Sequence, residues 1–363
     1  MPVILRQTGQ QDQYSNTLVL GTGLKVEQTT DGLPQLSALA TGGSDYYLAP
    51  SGGDDTAALR AAMYKGNRVR LGAGTFTLTD VIDVAEGVNI IGAGSGSGTS
   101  GGTSMTKINV SAIAQPAFRF GDTTQFAGLE SVRLVGPGKT AGTKSAIMCS
   151  RSSTGVALAR RLRFRDLHIE GFGEYGIFVE KCTQVDIDNV MVVNCAKGIT
   201  LQGGGMYRAA TVRLQGCEEG FAILNSGTAP TIGVVLDACE VEDCAFGFRL
   251  VQAQNVVLNA CVTRATRGTG LNLNQTTGVV VNAFRSDAST GAFVNSSHFV
   301  IYNGSVGSVI NGFTKVNNPG GVPTYEANVS AAAGPVYVSG HNFDTTKVAS
   351  GGRFAETSFA ALP

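Results

Sequence analysis

Apolar and polar positions alternate in short runs along most of this chain, and the runs recur at a nearly constant spacing. Six of them open on glycine: Gly176-Ile177-Phe178-Val179, Gly198-Ile199-Thr200-Leu201, Gly220-Phe221-Ala222-Ile223, Gly247-Phe248-Arg249-Leu250, Gly270-Leu271-Asn272-Leu273 and Gly291-Ala292-Phe293-Val294. The gaps between those glycines are 22, 22, 27, 23 and 21 residues. In an extended strand, the apolar second and fourth residues point to one side and the third to the other. Each run therefore predicts one rung of a stacked parallel sheet, and the whole predicts an all-β solenoid, a parallel β-helix. With about 23 residues per coil, on the order of ten coils fit between about 75 and 310.

Ahead of the coils, Gly53-Asp54-Asp55-Thr56-Ala57-Ala58-Leu59-Arg60-Ala61-Ala62-Met63 reads as one short amphipathic helix. Asp54 or Asp55 caps it, and Leu59 and Met63 share a face one turn apart. Val69–Leu78 and Val88–Gly94 read as short strands broken by glycine turns. Laid over the first coil, such a helix covers an open sheet edge and core end, which a solenoid must cap to stay soluble. Residues 1–45 lack the repeat and read as a separate attachment segment, and 46–310 read as the β-helix with its capping helix. Beyond Asn311, Pro319, Gly320, Gly321 and Pro323 interrupt the pattern, so 311–363 reads as a cap or subunit-contact region.

Composition narrows the choices. Glycine, at 49 of 363 residues, and a charged fraction of only 15% suit many tight turns between small coils. The net charge of +0 offers no field for nucleic acid. Residues 1–30 show no basic start with an apolar h-region and no apolar run long enough to span a membrane, so neither a signal peptide nor membrane insertion is expected. The seven cysteines include no CxxC pair, which excludes a zinc ribbon and argues against a disulfide framework. Cys195, Cys217 and Cys244 each precede a coil glycine by three residues, and Cys239 and Cys261 match one coil apart. They are read as core filling.

The stretch Asp54–Gly94 resembles the opening of pectate-lyase-like right-handed β-helices, in particular those of bacteriophage tailspike and tail-fibre proteins. The matching parts are the Asp-Asp-Thr-Ala-Ala-Leu helix, the step Leu71-Gly72-Ala73-Gly74-Thr75-Phe76 and the strand Ile90-Ile91-Gly92-Ala93-Gly94. The resemblance implies a right-handed, single-stranded parallel β-helix assembled as a homotrimer in a virion tail, made in the host cytoplasm. It further implies an N-terminal segment that docks on phage tail or adaptor proteins, and an outer face or inter-subunit groove that meets bacterial surface polysaccharide. That family holds lyases, hydrolases, epimerases and silent binding spikes, so fold alone does not settle whether a depolymerase is present. A free monomeric polysaccharide lyase or hydrolase and a purely structural tail component remain as alternatives. None of His168, His298 and His341 sits in a Gly-His-Gly context, so the polygalacturonase set has no match here.

Glycoside hydrolysis needs two carboxyl groups across the scissile bond, and three groups of residues are placed to bear on it. Asp166 and Asp188 align, continuing after Ala210 as Asp237, Asn259 and Asn282, and read as a turn ladder bonding backbone amides. Glu218, Glu219, Glu240, Glu242 and Asp243 form an acidic cluster without a matching basic cluster. Glu218, Glu240, Glu242 and Asp243 are the catalytic candidates, since clustered acids raise one another's pKa. The alternative is a solvated acidic edge with Glu219 paired to Lys197. On the outward strand face, Glu180, Phe178, Arg249, Asn272 and Phe293 are the substrate-binding candidates, polar groups beside aromatic planes. Arg160, Arg161, Arg163 and Arg165 read as an exposed strand face. No metal site and no cofactor are expected.

Overall fold

The computed structural model describes residues 45–63, 68–96, 105–111, 113–141, 144–150, 159–227, 229–287, 297–302, 304–316, 325–330, 333–334, 336–341, 348–350 and 354–356. It also describes the strands Thr17–Val19, Leu24–Gln28 and Pro34–Ala38, which pair into a three-stranded antiparallel sheet. From Asp45 onward the strands pair in parallel and build a right-handed β-helix. One coil runs through Tyr175–Glu180, then Thr183–Val193, then on to Lys197–Gln202 in the next coil. The first of these belongs to an 11-stranded sheet, here sheet I. The second belongs to a 21-stranded sheet, sheet II, to which each coil gives two successive segments, a first and a second limb.

Inward columns follow the expected alternation. Ile177, Ile199, Phe221, Phe248 and Leu271 lie in register on sheet I, as do Val179, Leu201, Ile223, Leu250 and Leu273, and all are buried. Toward the C-terminal end the core is aromatic: Phe221 stacks on Phe248 at 6.1 Å and Phe284 on Phe313 at 5.3 Å.

The coil glycines are required for space and not for a left-handed backbone. A Cβ on Gly198 would lie 2.5 Å from the Gly220 carbonyl oxygen, and one on Gly220 would lie 2.8 Å from that of Gly247. Each glycine lets sheet I approach the second limb, where Val192, Leu214, Val241 and Thr263 fill the room in successive coils. The sixth rung differs from the sequence reading. Leu271 pairs with Phe299, so the rung after Gly270 is Ser297–Tyr302, and His298 takes the glycine position 28 residues on. Gly291 and Phe293 lie outside the described residues. A longer turn leaves the rung spacing free, because backbone register needs only parallel strands and not a fixed loop.

Stacking also continues past Asn311, through Thr314–Val316, Tyr325–Val329, Val336–Ser339, Val348–Ser350 and Phe354–Glu356. At the other end the helix Thr56–Ala62 buries Leu59 against the first coil. The two aspartates before it divide the work. Asp54 accepts the Thr56 N–H at 2.9 Å and the Thr56 hydroxyl at 2.6 Å. Asp55 instead accepts from the Ser51 and Thr77 N–H groups at 2.8 and 3.0 Å, tying the helix start to the coil. All seven cysteines are free and buried. Burial pushes the Cys182 and Cys195 thiols up to about 12, which leaves them un-ionised and unreactive.

Candidate functional site

Three outward surfaces carry polar side chains in columns. On sheet I, Phe178, Thr200, Ala222, Arg249 and Asn272 share one column, which brings three of the expected binding residues into line. Arg249 reaches back one coil to Glu219 at 2.5 Å. Lys197, in register with Glu219, instead donates to the Tyr175 hydroxyl at 3.3 Å, so the expected Glu219–Lys197 pair is replaced by Glu219–Arg249. Tyr175 packs on Phe178 with centroids 4.7 Å apart. These side chains pave the face, and Thr200 and Ala222 are left 1% and 0% exposed. Glu180, at the edge, accepts the Ser226 hydroxyl at 3.1 Å. Phe293 cannot be placed, being outside the described residues.

The second limb carries the acids. Glu240 stacks on Arg213, and Glu242 lies between Gln215 and Arg264. Arg264 binds Glu240 at 2.6 Å and Arg213 binds Glu242 at 2.5 Å. The cluster therefore does have basic partners, because coil stacking sets residues 24 to 29 apart in sequence side by side. Glu218 and Asp243 are exposed in the turns leading from this limb to sheet I. Further toward the N-terminal end, both Glu170 oxygens lie 3.0 Å from Arg133. His168 sits beside them, 8% exposed. Its burial lowers its pKa below the ordinary 6.5, with Arg133 adding to the shift and Glu170 opposing it.

The first limb ends in the Asp/Asn column, one residue away from the expected register. Asp188 pairs with Arg165, not with Asp166, and the column continues as Ala210, Asp237, Asn259, Asn282 and Asn311. Asp166 occupies the left-handed bend that follows, at φ 52°, and accepts from the Asn189 amide at 2.6 Å. The ladder also differs from the expectation in its bonding. Asn259 donates to Asp237 at 2.8 Å, Asn282 to Asn259 at 2.9 Å and Asn311 to Asn282 at 3.1 Å, side chain to side chain.

Between its two bends the first limb presents an open groove. A cavity of about 580 Å³ in it is lined by Asn89, Phe126, Ala127, Arg161, Leu162, Arg163, Gln184, Asp186 and Met206. Two smaller cavities continue it, one with Arg68, Gly128 and Glu130 and one with Arg165, Asp188 and Arg208. Gly128 leaves a gap in the outward column between Asn89 and Arg163. Arg161 lies 4.8 Å over the Phe126 ring and donates to Gln184 at 3.2 Å. Phe126 and Met206 are 49% and 60% exposed. Apolar planes among amides, guanidinium groups and carboxylates suit a hydroxyl-rich ligand. The sequence shows the arginines of this face, but its aromatic and thioether members lie in other coils, and only strand register gathers them.

Comparison with known proteins agrees with this architecture. A family model described as a right handed beta helix region matches residues 146–329. No curated protein sequence matches significantly. Among solved structures, tailspike protein 2 of an Escherichia coli O157:H7 bacteriophage superposes with a TM-score of 0.69 at 16% identity, over 89% of this chain and 45% of that one. Polygalacturonase from Erwinia carotovora ssp. carotovora gives 0.66 at 10% identity, over 89% of this chain and 99% of that one. The pre-mature bacteriophage phi29 gene product 12 gives 0.59 at 15% identity, over 80% and 47%. The chain thus spans less than half the length of either phage protein, and likeness at these identities establishes the fold.

Proposed function

Because the chain belongs to the right-handed β-helix family, we propose that it is a tailspike-like rod that binds bacterial surface polysaccharide along the groove of its first limb. The observation that carries this reading is the groove itself, where Phe126 and Met206 stand exposed among Asn89, Arg163, Gln184 and Asp186. A polysaccharide is a linear ligand, and a surface that repeats every coil, at ~4.8 Å per rung, offers it successive equivalent contacts. The phage and polysaccharide-enzyme neighbours support the same reading.

We further propose self-association into a trimer through the C-terminal half of the same limb. There the outward column changes from Arg163, Asp186 and Arg208 to Val235, Val257, Val280, Val309 and Tyr337. Beside it, Ile232 and Val306 are 42% and 41% exposed. A contiguous apolar stripe of this kind marks an interaction surface. Residues 1–45 would then dock on the phage tail.

Purified capsule or O-antigen from candidate hosts, incubated with the protein, tests the reading: binding is expected, and shortening of the chains would identify a depolymerase. Absence of binding to every host polysaccharide would overturn it. Light scattering tests the trimer, and a clean monomer with turnover would favour a free enzyme.

A further inference from the structure

Among the described residues the bend that opens the first limb recurs in nine coils, at Gly87, Phe126, Arg161, Gln184, Met206, Gly233, Asn255, Gly278 and Gly307, all in the left-handed region with φ between 52° and 77°. Their register follows from Gln125 with Arg160, Arg160 with Thr183, Thr183 with Gly205 and Gly205 with Ile232. Left-handed backbone is costly for a residue with a Cβ and nearly free for glycine, and asparagine is the best tolerated of the rest. Five coils accept that preference. Four consecutive ones refuse it and place Phe, Arg, Gln and Met there, and these four are the bend residues that line the 580 Å³ cavity of the groove.

Packing does not explain them. Met206 is 60% exposed and Phe126 49%, so neither is held in the bend by core contacts. Left-handed non-glycine residues also occur at the limb's other bend, at Ala238, Ala260 and Ala283, so what sets these four apart is that their large side chains gather on one cavity. Side chains at such a bend project over the edge of the groove, and Arg161 is braced there by the Phe126 ring and Gln184. Within the groove, Arg163 has no ion pair among the described residues although Asp186 follows it in the column. A pre-set guanidinium next to an unpaired one is suited to an anion, since guanidinium groups bind carboxylates and phosphates in a fork.

We infer that Phe126, Arg161, Gln184 and Met206 form a specificity-determining rim that selects an acidic polysaccharide, whose anionic group is taken by Arg161 and Arg163. The inference rests on the polysaccharide-binding reading above. In it, Phe126 and Met206 supply apolar contact to sugar faces and Gln184 meets hydroxyl groups, while Asp186 accepts from hydroxyls and disfavours anions placed one rung further on.

A panel of purified bacterial capsular polysaccharides, equally divided among carboxylated, phosphorylated and neutral members, tests it by binding at low and high salt. The binders are expected among the acidic members, with affinity falling as salt rises. Arg163→Gln should weaken them at least tenfold. Met206→Gly is the decisive variant, because it relieves the left-handed strain: it should melt at or above the wild-type temperature yet bind at least threefold more weakly. A merely structural residue would lose stability and leave binding unchanged, and that result would overturn the rim. Strong binding of a neutral member, insensitive to salt and to Arg163→Gln but lost in Phe126→Ala, would overturn the acidic class while leaving the groove. Failure of every member to bind would remove the polysaccharide reading itself.

Discussion

His298 stands where five preceding coils carry glycine, and its Nδ1 lies 2.8 Å from the hydroxyl of Ser286 on the facing limb. Ser286 belongs to the facing column Val192, Leu214, Val241, Thr263 and Ser286, in which it stands opposite Gly270, and His298 reaches it from the following rung. Ser286 in turn accepts from the Thr263 hydroxyl at 3.1 Å. Ser286→Val alone should destabilise by about 1–3 kcal/mol through overpacking and loss of a buried partner. His298→Gly combined with Ser286→Val removes the imidazole that the new valine would crowd and leaves valine opposite Gly270, as Val241 stands opposite Gly220, and should recover part of that loss. Denaturant titration of the two single variants and the double one measures the coupling, and strict additivity would refute the complementarity.

Gly220→Ala tests the glycine column that faces this limb. The added Cβ would meet the Gly247 carbonyl 2.8 Å away, and backbone cannot yield as a side-chain tip can. A loss of about 1–3 kcal/mol is expected from chemical denaturation. Gly227, with nothing within 4 Å of an added Cβ, supplies the control for space, though its φ of 63° brings a bend cost of its own.

Asn259 holds the centre of the amide ladder, donating to Asp237 and accepting from Asn282. Asn259→Ala removes two hydrogen bonds and should cost about 1–3 kcal/mol. Asn259→Asp places a second carboxylate against Asp237, so its deficit should be largest at neutral pH and shrink in acid, as thermal melts across pH would record.

Glu240 and Glu242 are each bound to an arginine on a partly exposed face. Exposed pairs contribute little, so Glu242→Gln should change stability by no more than about 1 kcal/mol. Should depolymerase turnover be found, assays of Glu218→Gln and Glu242→Gln decide whether these acids carry it. Loss of turnover with an unchanged melt would assign them the chemistry.

Acid should loosen the rod in two stages. The His168 pKa is depressed below 6.5, chiefly by burial. The unfolded chain therefore binds that proton more tightly. This contribution to stability is present in full above pH 6.5 and is lost as the pH falls below it. Asp54 is held down to about 2 by bonds from Thr56 and Thr79, against an ordinary 3.8. Its contribution is present above 3.8 and disappears as the pH falls through about 2. His168→Gln should flatten the stability profile just below pH 6.5, and an unchanged profile would show that His168 does not set it.

Period and alternation in the sequence determined the parallel coil, the inward Ile, Phe, Leu and Cys columns and the capping helix. These depend on which residues recur along one strand and its repeats, and burial enforces them locally. The sequence did not determine register where turn length varies. Gly291 looked like a rung, whereas Ser297–Tyr302 pairs there, because a rung is fixed by hydrogen bonds to its neighbour and not by distance along the chain. For the same reason Asp188 pairs with Arg165 and not with Asp166, one residue from the alignment the period suggests. Which charges neutralise one another, Glu219 with Arg249 or Glu242 with Arg213, was likewise decided only when coils stacked. The groove belongs to the tertiary structure altogether: Phe126, Arg161, Gln184 and Met206 share no motif, and a repeated left-handed bend places them on one rim.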